Sequence, residues 1–121
     1  MTKTVLTVDD SPSIRRMIAL TLREAGYNVL EASDGQDGLE KATTTRVDAI
    51  ITDQNMPRMD GISMIKALRQ HPNGRGVPIV VLSTDSADTL KSQAREAGAL
   101  GWMVKPFTQD KLLAVVKKVL G

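Results

Sequence analysis

Five short apolar runs constrain this chain more than any other feature. Each is broken off by polar or charged residues, and each is followed by a segment with helical spacing. Thr4 to Val8 ends in Asp9-Asp10, and Tyr27 to Ala32, the weakest run, ends in Ser33-Asp34-Gly35. Val47 to Thr52 ends in Asp53, Pro78 to Leu82 in Ser83-Thr84, and Gly101 to Val104 in Lys105-Pro106. Runs this short, rich in β-branched residues and bounded by turn formers, read as buried strands. Between them Pro12 opens a helix carrying Ile14, Met17, Ile18 and Leu22 at helical spacing, and Gly26 ends it. Gly38, Leu39 and Ala42 mark a second helix, closed by Thr43-Thr44-Thr45. Asp60 caps a third, with Ile62, Met64, Ile65 and Leu68 on its apolar face. His71 to Gly76 is a loop, Asp85 to Ala97 a polar helix stopped by Gly98, and Thr108 caps a last helix carrying Leu112, Leu113, Val116, Val119 and Leu120. Strand and helix alternating five times, with short linkers, predict an α/β fold: one parallel sheet, doubly wound, with helices on both faces. A single domain over residues 1–121, with no output domain, is expected.

The strand ends carry the chemistry. A parallel strand that stops at a carboxylate places it at the carboxyl edge of the sheet, where open α/β sheets bind their ligands. Asp9, Asp10, Asp53, Ser83 and Lys105 all stand at such ends. In a sheet ordered 2-1-3-4-5 the first and third strands are neighbours where the strand order reverses, so Asp9-Asp10 and Asp53 would meet. Converging carboxylates repel one another unless a cation intervenes. Mg2+ takes oxygen donors and keeps several waters, which leaves positions for a phosphoryl oxygen. Lys105 adds a second positive charge and Ser83 a hydroxyl. A carboxylate can itself be the nucleophile of a phosphoryl transfer, forming an aspartyl phosphate. Each residue has a plainer reading alone: Asp9 or Asp10 as a helix cap, Asp53 as a turn residue, Lys105 as a solvated side chain. Their coincidence at neighbouring strand ends favours a site. Thr52, by contrast, reads as a polar strand-end residue and His71 as a loop residue.

Composition removes other classes. There is no cysteine and one histidine, so Cys-based and multi-His metal sites are excluded. The 16 basic and 14 acidic residues give a net charge of +2 and are scattered along the chain, which argues against a nucleic-acid surface. The first apolar run is too short for a signal-peptide core or a membrane span, so a cytoplasmic location is expected.

These residues carry a resemblance. Asp9-Asp10, then Asp53 with Met56-Pro57 and Asp60-Gly61, then Ser83, then Lys105-Pro106-Phe107 resemble the receiver domain of two-component response regulators over the whole chain. The runs Asn55 to Gly61 and Val104 to Thr108 are most similar to the CheY-type chemotaxis branch, whose members are receiver domains alone. The resemblance implies a flavodoxin-like (βα)5 sheet in the order 2-1-3-4-5. It implies Asp53 as phospho-acceptor, and Mg2+ held by Asp10, Asp53 and the Asn55 main-chain carbonyl, with Asp9 helping through water. Lys105 would pair with the acceptor or its phosphoryl group. Ser83 would be the switch hydroxyl, and Trp102 would occupy the switch aromatic position. Ile14 and Pro106-Phe107 would flank the docking site of a histidine kinase or phosphotransfer protein. The implied target is a protein, a flagellar motor switch being one candidate, and the chain would turn over no free substrate. Trp102 departs from the family's Tyr or Phe, Gln54 follows the acceptor unusually, and Ser86 stands for an expected Ala. Two other classes fit less well. An aspartyl-phosphate phosphohydrolase needs an acid/base Asp where Asn55 stands. A flavin carrier needs aromatic residues that one Tyr, one Trp and one Phe do not supply.

Overall fold

The computed structural model describes residues 2–120. Its elements are β1 (Thr4–Val8), α1 (Pro12–Glu24), β2 (Asn28–Ala32), α2 (Gly35–Thr44), β3 (Ala49–Asp53), α3 (Gly61–Arg69), a 3₁₀ turn (Pro72–Gly74), β4 (Ile79–Ser83), α4 (Asp88–Ala97), β5 (Gly101–Val104) and α5 (Gln109–Leu120). The strands form one parallel sheet in the order β2-β1-β3-β4-β5. This is the doubly wound, flavodoxin-like arrangement expected.

Strand alternation divides the core in two. Leu6, Val8, Ile50, Ile79 and Val81 pack with Met64, Ile65 and Leu68 of α3 on one face. Val5, Ile51, Val80, Leu82 and Met103 pack with Ile18 and Leu22 of α1 and Leu112 and Val116 of α5 on the other. β3 and β4 are buried along their whole length, as central strands covered on both sides must be. Each such Leu or Ile contributes about 1.5–3 kcal/mol by burial, against ~1 kcal/mol for a helix cap. Packing therefore sets the fold, and capping sets where elements stop.

The caps show the second effect. Asp34 Oδ1 accepts from Asp37 N (2.8 Å), Asp60 Oδ1 from Ser63 N (2.8 Å) and Thr108 Oγ1 from Lys111 N (3.1 Å). α1 is capped by Ser11, whose Oγ accepts from Ile14 N (3.4 Å). Neither preceding aspartate fills the cap position, although Asp9 Oδ1 accepts from Ser11 N (2.9 Å). Gly26 takes φ 97° just beyond α1, the left-handed turn that ends the helix.

The starts of β2, β3 and β4 differ from the expectation by one or two residues, and two places differ by more. α4 starts at Asp88 instead of Asp85. Asp85 is committed to the loop: its N–H donates to Ser83 Oγ (3.0 Å), its carboxylate accepts from Ala87 N (2.8 Å), and its carbonyl accepts from the Trp102 indole (3.2 Å). The loop after α3 contains the 3₁₀ turn, capped by His71 Nδ1 accepting from Asn73 N (3.2 Å), which gives that histidine a local structural role. No helix among the described residues is long and apolar enough to cross a membrane.

Candidate functional site

Alternation decides which strand-end side chains meet. Val5, Ala49, Ile51 and Met103 face α1 and α5. Continuing that parity past the strand ends puts Asp9, Asp53 and Lys105 on the same side. The backbone ladder does continue there: Asp9 N donates to Ala32 O (3.0 Å) and Lys105 N to Ser83 O (2.8 Å). Ser83 and Trp102 have the opposite parity, and Trp102 packs with the α3 and α4 side of the core. The ionic groups and the hydroxyl–indole pair thus occupy opposite faces of one sheet edge.

Asp9, Asp10 and Asp53 each bring one carboxylate oxygen to within 4.8 Å of the others. Asp9 and Asp53 are buried and Asp10 is exposed. Lys105 Nζ lies 3.2 Å from Asp53 Oδ1 and 3.4 Å from Asp9 Oδ2, so one ammonium serves both buried carboxylates. Burial, then the neighbouring Asp9 charge, push the Asp53 carboxyl above its ordinary range, and Lys105 offsets part of this. Three carboxylates against one ammonium remain short of positive charge. All the donors are oxygen, and the exposed member opens to water. That donor set fits a hard divalent cation such as Mg2+.

Several supporting residues were not visible in the sequence as such. Gln54 is buried; its Oε1 accepts from Ile62 N (2.9 Å) and its carbonyl from Gly61 N (3.0 Å). Its own N–H reaches both Leu82 O (3.0 Å) and Asp53 Oδ1 (2.9 Å). The unusual residue after Asp53 therefore ties the strand end to the start of α3. Arg15 Nη1 donates to the Asp9 carbonyl (2.8 Å), and Arg15 Nε pairs with Glu31 (3.4 Å), which fixes α1 against the acidic corner. Thr52 is fully buried and its hydroxyl donates to the Asp53 carbonyl (2.9 Å), consistent with the structural role expected of it.

The other expected site residues are distributed as follows. Asn55 is exposed, in the turn after β3. Ser83 is buried, with Oγ accepting the Asp85 N–H. Trp102 is half-buried, its indole N–H on the Asp85 carbonyl. The backbone of one residue, Asp85, thus links the hydroxyl to the indole. Ile14 and Phe107 are half-buried against the α1/α5 side of the core, and Pro106 is exposed.

Residues 5–117 match the response regulator receiver domain family. The chain belongs to that family. Chemotaxis response regulator CheY4 of Vibrio cholerae superposes with a TM-score of 0.94 at 43% identity, covering 98% of this chain and 99% of that one. The receiver domain of sensor histidine kinase PA1611 from Pseudomonas aeruginosa, with a magnesium ion coordinated in its active-site cleft, matches with a TM-score of 0.92 at 30% identity over 100% of this chain and 99% of that one. Transcriptional regulatory protein PrrA of Mycobacterium leprae is 43% identical over 116 residues, 96% of this chain but 49% of PrrA. The chain therefore spans about half the length of such transcriptional regulators. Receiver domains of two-component systems are phosphorylation-dependent switches rather than turnover enzymes. They bind Mg2+ at their acidic site and interact with histidine kinases and downstream targets.

Proposed function

We propose that Asp53 accepts a phosphoryl group from a phosphohistidine on a histidine kinase or phosphotransfer protein, and that the resulting charge changes how the chain binds a protein target. An Asp53 carboxylate oxygen attacks phosphorus, the phosphorus–nitrogen bond of the donor breaks, and the imidazole leaves with the electron pair. The observation carrying this reading is the convergence of Asp9, Asp10 and Asp53 within 4.8 Å, with Lys105 3.2 Å from Asp53. Asp10, Asp53 and the Asn55 carbonyl would hold Mg2+, with Asp9 assisting through water. Bound there, the ion would neutralise charge on the carboxylates and the incoming phosphoryl oxygens. Lys105 supplies the remaining positive charge and orients Asp53. Ser83 supplies a hydroxyl that can donate to the phosphoryl group. Acetyl phosphate with Mg2+ should add one phosphoryl group, and borohydride reduction followed by peptide mapping should locate it at Asp53. No adduct under these conditions contradicts the proposal.

A phosphohistidine must reach the pocket past the start of α1 and the loop after β5. Ile14 and Phe107 present half-buried apolar surface there, beside exposed Pro106. The Ile14→Asp variant is expected to slow transfer from the partner about tenfold or more, the effect of losing an interface anchor. It should leave labelling by acetyl phosphate near the wild-type rate, because the small donor needs no docking. An equal fall in both rates would make Ile14 a core residue only.

Ser83 Oγ accepts the Asp85 N–H and the Asp85 carbonyl accepts the Trp102 indole N–H, so a turn of Ser83 toward a phosphoryl group would act on the residue that holds the indole. Phosphorylation is therefore expected to disturb the indole. Beryllofluoride with Mg2+ should change the emission of Trp102, the chain's one tryptophan, and Ser83→Ala should reduce that change. A full response in Ser83→Ala would mean that hydroxyl and indole are not coupled.

The target we favour lies in chemotaxis, a flagellar motor switch protein being the first candidate, because CheY4 combines 43% identity with a TM-score of 0.94. Transcriptional output is the second reading, supported by the 43% identity with PrrA. Pull-down with and without beryllofluoride distinguishes them by the partner retained.

A further inference from the structure

We propose that the ion pair between Arg58 and Asp34 is a positioning clamp that presets the Asn55 carbonyl toward the acidic site. Arg58 is the only non-glycine residue with positive φ (65°) among the described residues. A side chain with a Cβ disfavours that left-handed backbone, so something must hold it. Arg58 Nε donates to Asp34 Oδ2 at 2.7 Å. Asp34 is a fixed partner: it is buried, and its other oxygen caps α2 by accepting from Asp37 N (2.8 Å). The Arg58 hydrogen bond, followed by the Asp37 N–H, holds the Asp34 carboxyl below its ordinary range, so the pair stays charged at neutral pH. The next residue completes the contact. The Met59 carbonyl accepts from Gly35 N (3.1 Å), and a Cβ at Gly35 would lie 2.2 Å from that carbonyl oxygen. The first turn of α2 and the loop after β3 therefore fit face to face.

At its other end the same loop is fixed by Gln54, through Gly61 N, Ile62 N and Leu82 O. Asn55 lies between the two anchors, one residue from Gln54 and three from Arg58. The Arg58 side chain is 62% exposed, so the pair adds little to global stability. Its effect is local: without it the left-handed residue is free to relax, and the turn that carries Asn55 is held by the Gln54 and Met59 contacts alone. The inference rests on the reading that Mg2+ binds at Asp10, Asp53 and the Asn55 carbonyl.

The test is a Mg2+ titration by calorimetry, paired with thermal melts, on wild type, Arg58→Gly, Arg58→Lys, Asp34→Asn, the Arg58→Gly/Asp34→Asn double variant and Asp53→Asn as the control for the metal site. Glycine accepts positive φ without strain, so Arg58→Gly should melt no lower than wild type yet bind Mg2+ about two- to fivefold more weakly. Asparagine still caps α2, so Asp34→Asn should lose affinity by a similar factor, and the double variant should lose no more than either alone. The contact uses a single nitrogen, so Arg58→Lys should keep most of the wild-type affinity. Wild-type affinity in both Arg58→Gly and Asp34→Asn, with Asp53→Asn losing it, overturns the clamp alone. Wild-type affinity in Asp53→Asn overturns the underlying metal site. Affinity that falls only in step with melting temperature reduces the pair to a structural contact and also overturns the proposal.

Discussion

Replacing Asp53 with asparagine is expected to abolish phosphoryl uptake from acetyl phosphate while making the metal-free protein more stable at neutral pH. The first effect follows from removing the nucleophilic oxygen, and labelling should fall to background. The second follows from the electrostatics of the site. Burial and the Asp9 charge raise the Asp53 pKa in the folded state, and Lys105 offsets this only in part. A raised carboxyl favours its protonated form in the fold. The stability linked to that form is fully present below the unfolded pKa and is lost as pH rises through the folded one. At neutral pH, ionised Asp53 therefore costs stability, and a neutral isostere removes the cost. Asparagine leaves Lys105 its 3.4 Å contact with Asp9, so no cation is stranded. Thermal melts in chelator should show a gain of a few degrees at pH 7 that shrinks as the pH falls below the carboxylate range. A variant less stable than wild type at pH 7, or a gain that grows in acid, would contradict this account. Phosphoryl label persisting in the variant and mapping to another residue would remove Asp53 from the acceptor role.

The Asp10→Ala variant is expected to lose Mg2+ affinity on the order of tenfold or more, the size of effect seen when a metal site loses a supporting group. Its uptake of phosphoryl from acetyl phosphate should fall with it. Its melting temperature in chelator should barely change, because Asp10 is exposed and the charge pressing on Asp53 is that of Asp9. Asp10 thus separates binding from folding where Asp53 couples them. Equal Mg2+ affinity in Asp10→Ala and wild type would exclude Asp10 from the ligand set. A large stability change would place Asp10 in the folded framework instead.

Much of the fold was legible because short apolar runs and cap residues are local signals. β1, β3 and β5 end at or next to the carboxylates and the ammonium that mark their ends in the sequence. Asp34, Asp60 and Thr108 cap the helices they precede. The start of α4 was not legible, because residues 85–87 look as helical as those that follow. What ends the loop there is the engagement of Asp85 by Ser83 and by Trp102, a residue 17 positions away. Gln54 stood out as unusual, but its role depends on the N–H groups of α3 that the fold brings to it.

By itself the sequence determined the number and kind of elements, the parallel sheet, and which residues stand at the strand ends. Those follow from side-chain periodicity and turn chemistry, which act over a few residues. The tertiary structure decided what meets what. Lys105 reaches Asp9 across 96 positions, and Arg58 reaches Asp34 across 24. Strand parity assigns Asp9, Asp53 and Lys105 to one face of the sheet edge and Ser83 with Trp102 to the other. No local preference encodes such contacts. They arise because burying both faces of β3 and β4 fixes strand order and register, and register then sets the distance between charges that are far apart along the chain.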